Sequence, residues 1–323
     1  MQESAKVNRI QTAEPQDENL RIAFKEALAI SNQHKGRSNL WGSLIILSNY
    51  VVIAGCIAVS EYSVKCLNRR AVWGIYSLMA LVISSRLRAF EHMVHEASHN
   101  NLFTLPCTSS MYSAPCTSST TSILAIPSAT LTWSGSSTMG SFLIPPSASR
   151  KTWLILGLPW TGWFQYEYVN TLFTEFWMDS SCYPSKLIYW IVVLSAVHFS
   201  DRWTEFGWYY VIPWLGIFPI LRWWAELGEH VGMDMTKDFG NSRTNDRFWQ
   251  RWFFYPLNDG LHAAHHLNSQ VPCYRLRRAQ AELMAESTAF REKNVLANSM
   301  WETYSQIYTC TTIIKERVEG GFG

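Results

Sequence analysis

Polar and apolar positions in this chain fall into long blocks. Residues 1–38 are polar, with Leu20, Phe24 and Leu28 recurring at helical spacing, which predicts a short amphipathic helix over 17–31. Trp41 to Ser60 carries no charge. At ~1.5 Å per residue, about 20 residues cross a hydrocarbon core of ~30 Å, so this block predicts a membrane span. Ala71 to Ile83, with its flank to Phe90, predicts a second span ended by Arg86 and Arg88. Leu187–Val197 and Gly207–Leu221 predict two more, paired as a tight hairpin, with Arg222, Trp223 and Trp224 as interfacial anchors. Tyr166 to Trp177, aromatic with few charges, predicts an interfacial helix. From Arg275 onward the pattern is polar, helical and cytosolic in character.

The expected fold is therefore all-α: an integral membrane bundle of about four transmembrane helices with a helical cytosolic metal-binding cap. The expected divisions are a polar cytosolic segment 1–38, a membrane domain 39–280 and a polar helical tail 281–323. Asn100 to Ser149 stands apart, with no charged residue, no histidine and many Ser, Thr and Pro, a composition usual in a disordered linker.

Composition agrees with a membrane protein. Charged residues make up 16%, against roughly 25% in average soluble proteins, while tryptophan reaches 16 copies. A net charge of only +2 gives no electrostatic footprint for nucleic acid, so none is expected as a partner. The seven cysteines are scattered without a CxxC, as for free thiols in a reducing compartment. The polar start predicts no cleaved signal peptide.

The candidate chemistry is in the histidines. His92, His95 and His99 lie at i, i+3 and i+7, on one face if the second span continues as a helix past Phe90. His262, His265 and His266 form a second group able to bridge or serve two ions. Glu226 and His230 follow the last expected span at i, i+4. An even number of spans between His99 and His262 puts both groups on one side of the membrane. Clustered neutral imidazoles suit a transition metal. The candidate ligands are His95, His99, His230, His262, His265 and His266; His92 shares the helical face but stands outside this set. Asp259 is either a partner that fixes a histidine tautomer or a helix cap. His95-Glu96-Ala97-Ser98-His99 also matches HExxH, so a membrane zinc metalloprotease with Glu96 as general base is an alternative. That reading leaves His230, His262, His265 and His266 without a role.

These runs resemble the membrane fatty acid desaturase/hydroxylase superfamily. HEASHNNLF (95–103) is similar to its first histidine box, and NDGLHAAHHLNSQVPCYRL (258–276) to its last. Glu229-His230 with Gly232 is similar to the element between the last span and the final box. The likeness extends to fungal and bacterial desaturase-like proteins, including those of secondary-metabolite biosynthesis. The resemblance implies a non-haem di-iron centre on the cytosolic face of an integral membrane protein, with the endoplasmic reticulum as its expected location. It implies O2 as co-substrate, a lipid, acyl or polyketide chain as substrate, and a separate electron donor of cytochrome b5 or ferredoxin type. The chain departs from the family in lacking the middle box, because Asn100–Ser149 contains no histidine. Shifting the frame by two bases allows Ser137-Thr138-Met139-Gly140 to include His-His-Gly, which points to an out-of-frame or unspliced segment. Taken as written, the stretch makes an inactive desaturase-like membrane protein a further alternative.

Overall fold

The computed structural model describes residues 15–104, 152–166, 169–170, 183–233 and 239–309. Most of Asn100–Ser149, including 137–140, and most of Tyr166–Trp177 lie outside the described residues. Among those described, every regular element is helical apart from one parallel pairing of Arg243–Thr244 with Val295–Leu296.

The amphipathic stretch near the start forms α1 (Pro15–Asn32). It is followed by α2 (Asn39–Cys66) and α3 (Arg69–Ser98). Both long helices open on side-chain caps: the Ser38 hydroxyl accepts from the Trp41 amide at 3.4 Å, and Asn68 accepts from the Ala71 amide at 3.1 Å. Two residues separate the helices, so they run antiparallel and in contact. The buried positions of α2 are Gly42, Asn49, Cys56, Ser60 and Ser63, a narrow stripe of small and polar residues. Leu40, Leu47, Val51, Val59 and Val64 point outward, exposed. Small residues toward the protein and large apolar ones away from it suit a helix surrounded by lipid. Among the described residues, α2 alone is long and apolar enough to cross a membrane.

The second expected span and the first histidine run are one unbroken helix of 30 residues. The third and fourth expected spans are helical too. α4 (Tyr183–Phe199) ends in a tight turn with Asp201 at φ +53°. The chain returns through Trp203–Phe206 and a π-wound stretch, Gly207–Ile217, into α5 (Phe218–His230). Pro213 has no amide hydrogen to give the preceding turn, which accounts for the irregular winding. The Pro213 carbonyl accepts from the Ser84 hydroxyl of α3 at 3.0 Å.

The polar ends of α3 and α5 meet five short helices: α6 (Phe248–Phe253), α7 (His262–Leu267), α8 (Cys273–Glu286), α9 (Thr288–Lys293) and α10 (Met300–Thr309). Leu20, Phe24 and Ala27 of α1 pack on Ala263, Ala264 and Leu267 of α7 and on Leu276, Ala279 and Leu283 of α8. The N-terminal helix therefore covers the apolar face of the last histidine run, and α8 crosses position 280 without interruption. Arg222 and Trp223 are not interfacial anchors. Both are buried, because Arg222 pairs with Glu91 at 2.9 Å and Trp223 stacks on Phe164 with ring centroids 4.3 Å apart. Trp224 donates its indole N–H to the Ile155 carbonyl at 2.8 Å.

Candidate metal centre

The end of α3 fixes two of the candidate ligands. Its last turn closes with Asn100 at φ +59°, the Asn100 amide donating to Ala97 O at 2.9 Å and the Asn101 amide to Glu96 O at 2.9 Å. This is a Schellman closure, with asparagine where glycine is more usual. It stops the helix at Ser98, with His99 as the cap residue. The Asn101 side chain then donates to Ser269 O at 2.8 Å, joining this end to the segment after α7.

α7 is preceded by two non-glycine residues in the left-handed region, Leu257 (φ +60°) and Asn258 (φ +66°). Asn258 is pinned by donating to Cys273 O at 2.9 Å. The turn delivers Asp259 inward and starts α7 at His262. With 3.6 residues per turn, His262 and His266 share a face, and His265 lies to one side.

All six candidate ligands converge, in two groups of three. His95, His99 and His265 form one group, and His230, His262 and His266 the other, with the donor atoms of each group within 4.8 Å of one another. His95 Nε2 is 2.9 Å from His265 Nε2. His262 Nε2 is 3.0 Å from His230 Nε2 and 3.1 Å from His266 Nε2. The groups are adjacent, since the His262 and His265 rings stack at 5.8 Å. α7 thus serves both. His92 belongs to neither group, and His198 is exposed at the far end of α4.

Behind the rings lies a buried network that the sequence reading did not foresee. Arg88 donates to Glu91 at 2.8 Å, Asp259 at 2.9 Å and Glu229 at 3.5 Å. Asp259 also takes His92 Nδ1 at 2.9 Å and sits 3.8 Å from His262 Nδ1. Its close contact is thus with His92 and it does not cap α7, whose N-cap residue Leu261 makes no side-chain cap. Glu96 accepts the Cys273 amide at 2.8 Å and lies 3.9 Å from His265 Nδ1. It therefore faces the back of a histidine ring, on the side away from the converging Nε2 atoms. That is the wrong side for the general base of an HExxH protease. The spacing of Glu91, Arg88 and His92 on α3 was legible as a polar face; Arg222, Glu229 and Asp259 required the tertiary fold.

The donor chemistry fits cations. Burial and neighbouring imidazoles push His262 and His265 well below the ordinary histidine pKa, and His95 to about 3. The rings are therefore neutral, the form that binds metal. Asp259 and Glu96 behind His262 and His265 favour Nδ1–H, which leaves Nε2 lone pairs aimed at one another. At a metal–nitrogen bond of roughly 2.1 Å and a right angle at the ion, neighbouring nitrogens lie about 3.0 Å apart. The closest Nε2 contacts have that spacing. Of four buried carboxylates (Glu91, Glu96, Glu229, Asp259), the buried guanidiniums Arg88 and Arg222 pair with Glu91, Glu229 and Asp259, while Glu96 faces His92 and His265. Burial holds Glu229 well above the usual carboxylate range despite Arg88, whereas His92 and Arg88 outweigh burial and hold Asp259 well below it.

Comparison with known proteins agrees with this chemistry. A 23% identical relative over 272 residues, covering 75% of each chain, is the dihydrorhizobitoxine desaturase of Bradyrhizobium elkanii. No solved structure matches. The family model described as fatty acid desaturase matches residues 132–295, which take in His230, His262, His265 and His266 and begin after the first histidine run. Spanning just over half of the chain, that match establishes that the protein belongs to the fatty acid desaturase family.

Proposed function

We propose that the protein is an O2-dependent desaturase or hydroxylase that uses two irons, one in each histidine group. The observation that carries the reading is the pair of adjacent three-histidine groups backed by buried carboxylates. His95, His99 and His265 would hold one ion, and His230, His262 and His266 the other. Three protein donors per ion leave positions free for exogenous ligands. Bound there, the irons would supply dioxygen activation and removal of hydrogen from an unactivated C–H bond. The chain's own part is to keep the rings neutral and oriented, through Asp259 behind His262 and Glu96 behind His265. Desaturation balances as –CH2–CH2– plus O2, two electrons and two protons giving –CH=CH– and two waters, so a separate electron donor is part of the proposal.

The substrate proposed is an acyl, lipid or polyketide chain. The relative's name places its own desaturation on dihydrorhizobitoxine, which widens the range to be screened. Four membrane helices, a location in the endoplasmic reticulum and a metal site on the cytosolic face belong to this same proposal. The outward apolar face of α2 and the meeting of both histidine groups at one end of α3 support it.

The test is iron content and turnover of the full chain in lipid nanodiscs, supplied with a reductase system and a panel of acyl substrates. Two irons per chain, with a product lacking two hydrogens or carrying one added oxygen, are expected. The histidine-free stretch Asn100–Ser149 favours a second reading, an inactive relative of the family. Absence of bound iron together with absence of product would establish it, and sequencing the transcript across that stretch shows whether a middle box is encoded.

A further inference from the structure

Resting on the metal-centre reading above, a separate feature concerns a histidine that neither group uses. His92 is 3% exposed and lies one turn before His95 on α3. Its Nδ1 is 2.9 Å from Asp259 Oδ1, and that same oxygen is 3.8 Å from His262 Nδ1. Its Nε2 is 3.9 Å from Glu96 Oε1, which in turn is 3.9 Å from His265 Nδ1. A single path therefore runs from His262 through Asp259, His92 and Glu96 to His265, and its two ends are in different histidine groups. His92 Nε2, Glu96 Oε1, His262 Nδ1 and His265 Nδ1 are all buried without a hydrogen-bond partner. Unsatisfied buried polar atoms are costly, and four along one path mark a network that closes when the rings shift slightly or a water enters.

We propose that His92 is a positioning residue that couples the two metal sites, by holding with one ring the carboxylate behind a ligand of each. Its two nitrogens divide the work. Nδ1 fixes Asp259, which is also held by Arg88 at 2.9 Å. Nε2 faces Glu96, whose other oxygen is tied to the Cys273 amide at 2.8 Å. Loss of the ring frees one oxygen of Asp259 and removes the group that faces Glu96 Oε1, and so loosens both ligand rings together. Removing partners of this kind typically lowers metal affinity by roughly 10–100-fold.

The experiment titrates cobalt(II), followed by its visible absorption, into the metal-free full chain in nanodiscs. Two ions are expected for the wild type. The His266→Ala background isolates the site of His95, His99 and His265, and His99→Ala isolates the other. His92→Ala is expected to weaken cobalt binding roughly 10–100-fold in both backgrounds. His92→Asn, whose amide reaches Asp259 but not Glu96, is expected to restore the site of His230, His262 and His266 alone. If His92→Ala fails to fold, the site-selective result for His92→Asn decides. Unchanged affinity at both sites, or weakening at only one in His92→Ala, overturns the coupling while leaving the metal-centre reading intact. A wild type that binds fewer than two ions overturns the metal-centre reading itself, and the coupling with it.

Discussion

Replacing Arg88 with methionine removes a cation shared by three buried carboxylates. Glu91 keeps Arg222 at 2.9 Å and burial already holds Glu229 in its neutral form, so Asp259, left with His92 at 2.9 Å, bears most of the loss. Removing one member of a buried ion pair costs about 3–5 kcal/mol, mainly because a charge is left buried and uncompensated. With two of three partners still contacted, the lower end, about 3 kcal/mol, is expected. At roughly 2–4 °C per kcal/mol for chains of 150–250 residues, and less for a longer one, the melting temperature should fall by about 4–6 °C. The assay is thermal unfolding of metal-free protein in detergent, followed by intrinsic fluorescence. Arg88→Lys keeps the charge but not the planar fork that reaches several carboxylates, and should lie between the two. Adding Asp259→Asn to Arg88→Met should recover about half of the loss, since it removes the charge that Arg88 had compensated. The reasoning fails if Arg88→Met melts within about 2 °C of the wild type, or if Asp259→Asn adds to the damage.

Three other outcomes are expected. Burial and the neighbouring His92 and His99 hold His95 at about 3, so below pH 6.5 the unfolded chain binds a proton that the folded chain lacks. Metal-free stability should then decline as pH drops from 6.5, by up to about 1.4 kcal/mol per unit for such a histidine. Burial opposes the charged form of His92 but Asp259 holds its pKa up, so it is protonated in both states below 6.5 and adds no slope there; a melting temperature flat between pH 7.5 and 5 contradicts this account. A side chain at Gly228 would collide with the Tyr255 hydroxyl, which is fully buried, so Gly228→Ala should cost about 1–3 kcal/mol by overpacking, measured by denaturant or thermal unfolding. Asn100→Ala should cost roughly 1 kcal/mol through the left-handed residue that closes α3 and weaken cobalt binding at the site containing His99, whereas Asn100→Gly should be neutral or better.

The six candidate ligands were legible because histidine is scarce and helical spacing is a local property: His95 and His99 share a face of α3 by periodicity alone. The extent of α2, the continuation of α3 past Phe90 and the tight turn after α4 were legible for the same reason. The division of the final run between two sites was not, since it depends on where His230 arrives at the end of α5. Arg222 read as an anchor because a cation beside two tryptophans at the end of an apolar block is ambiguous. Only the distant Glu91 turns it inward. The polar composition of residues 15–38 likewise hid the role of α1, whose apolar stripe is three residues wide in sequence but is completed by α7 and α8.

α7 is six residues long, well short of the length at which an isolated helix holds together in water. Its orientation is borrowed from α1 at one end of the polypeptide and α8 near the other. No excised fragment bearing the final run should therefore reproduce either three-nitrogen pocket. During synthesis, the pockets cannot exist until the ribosome has released residues past 286. On the proposed di-iron reading, loading with metal would be a late event in biogenesis, and cells short of iron would accumulate a completed apoprotein instead of a stalled nascent chain.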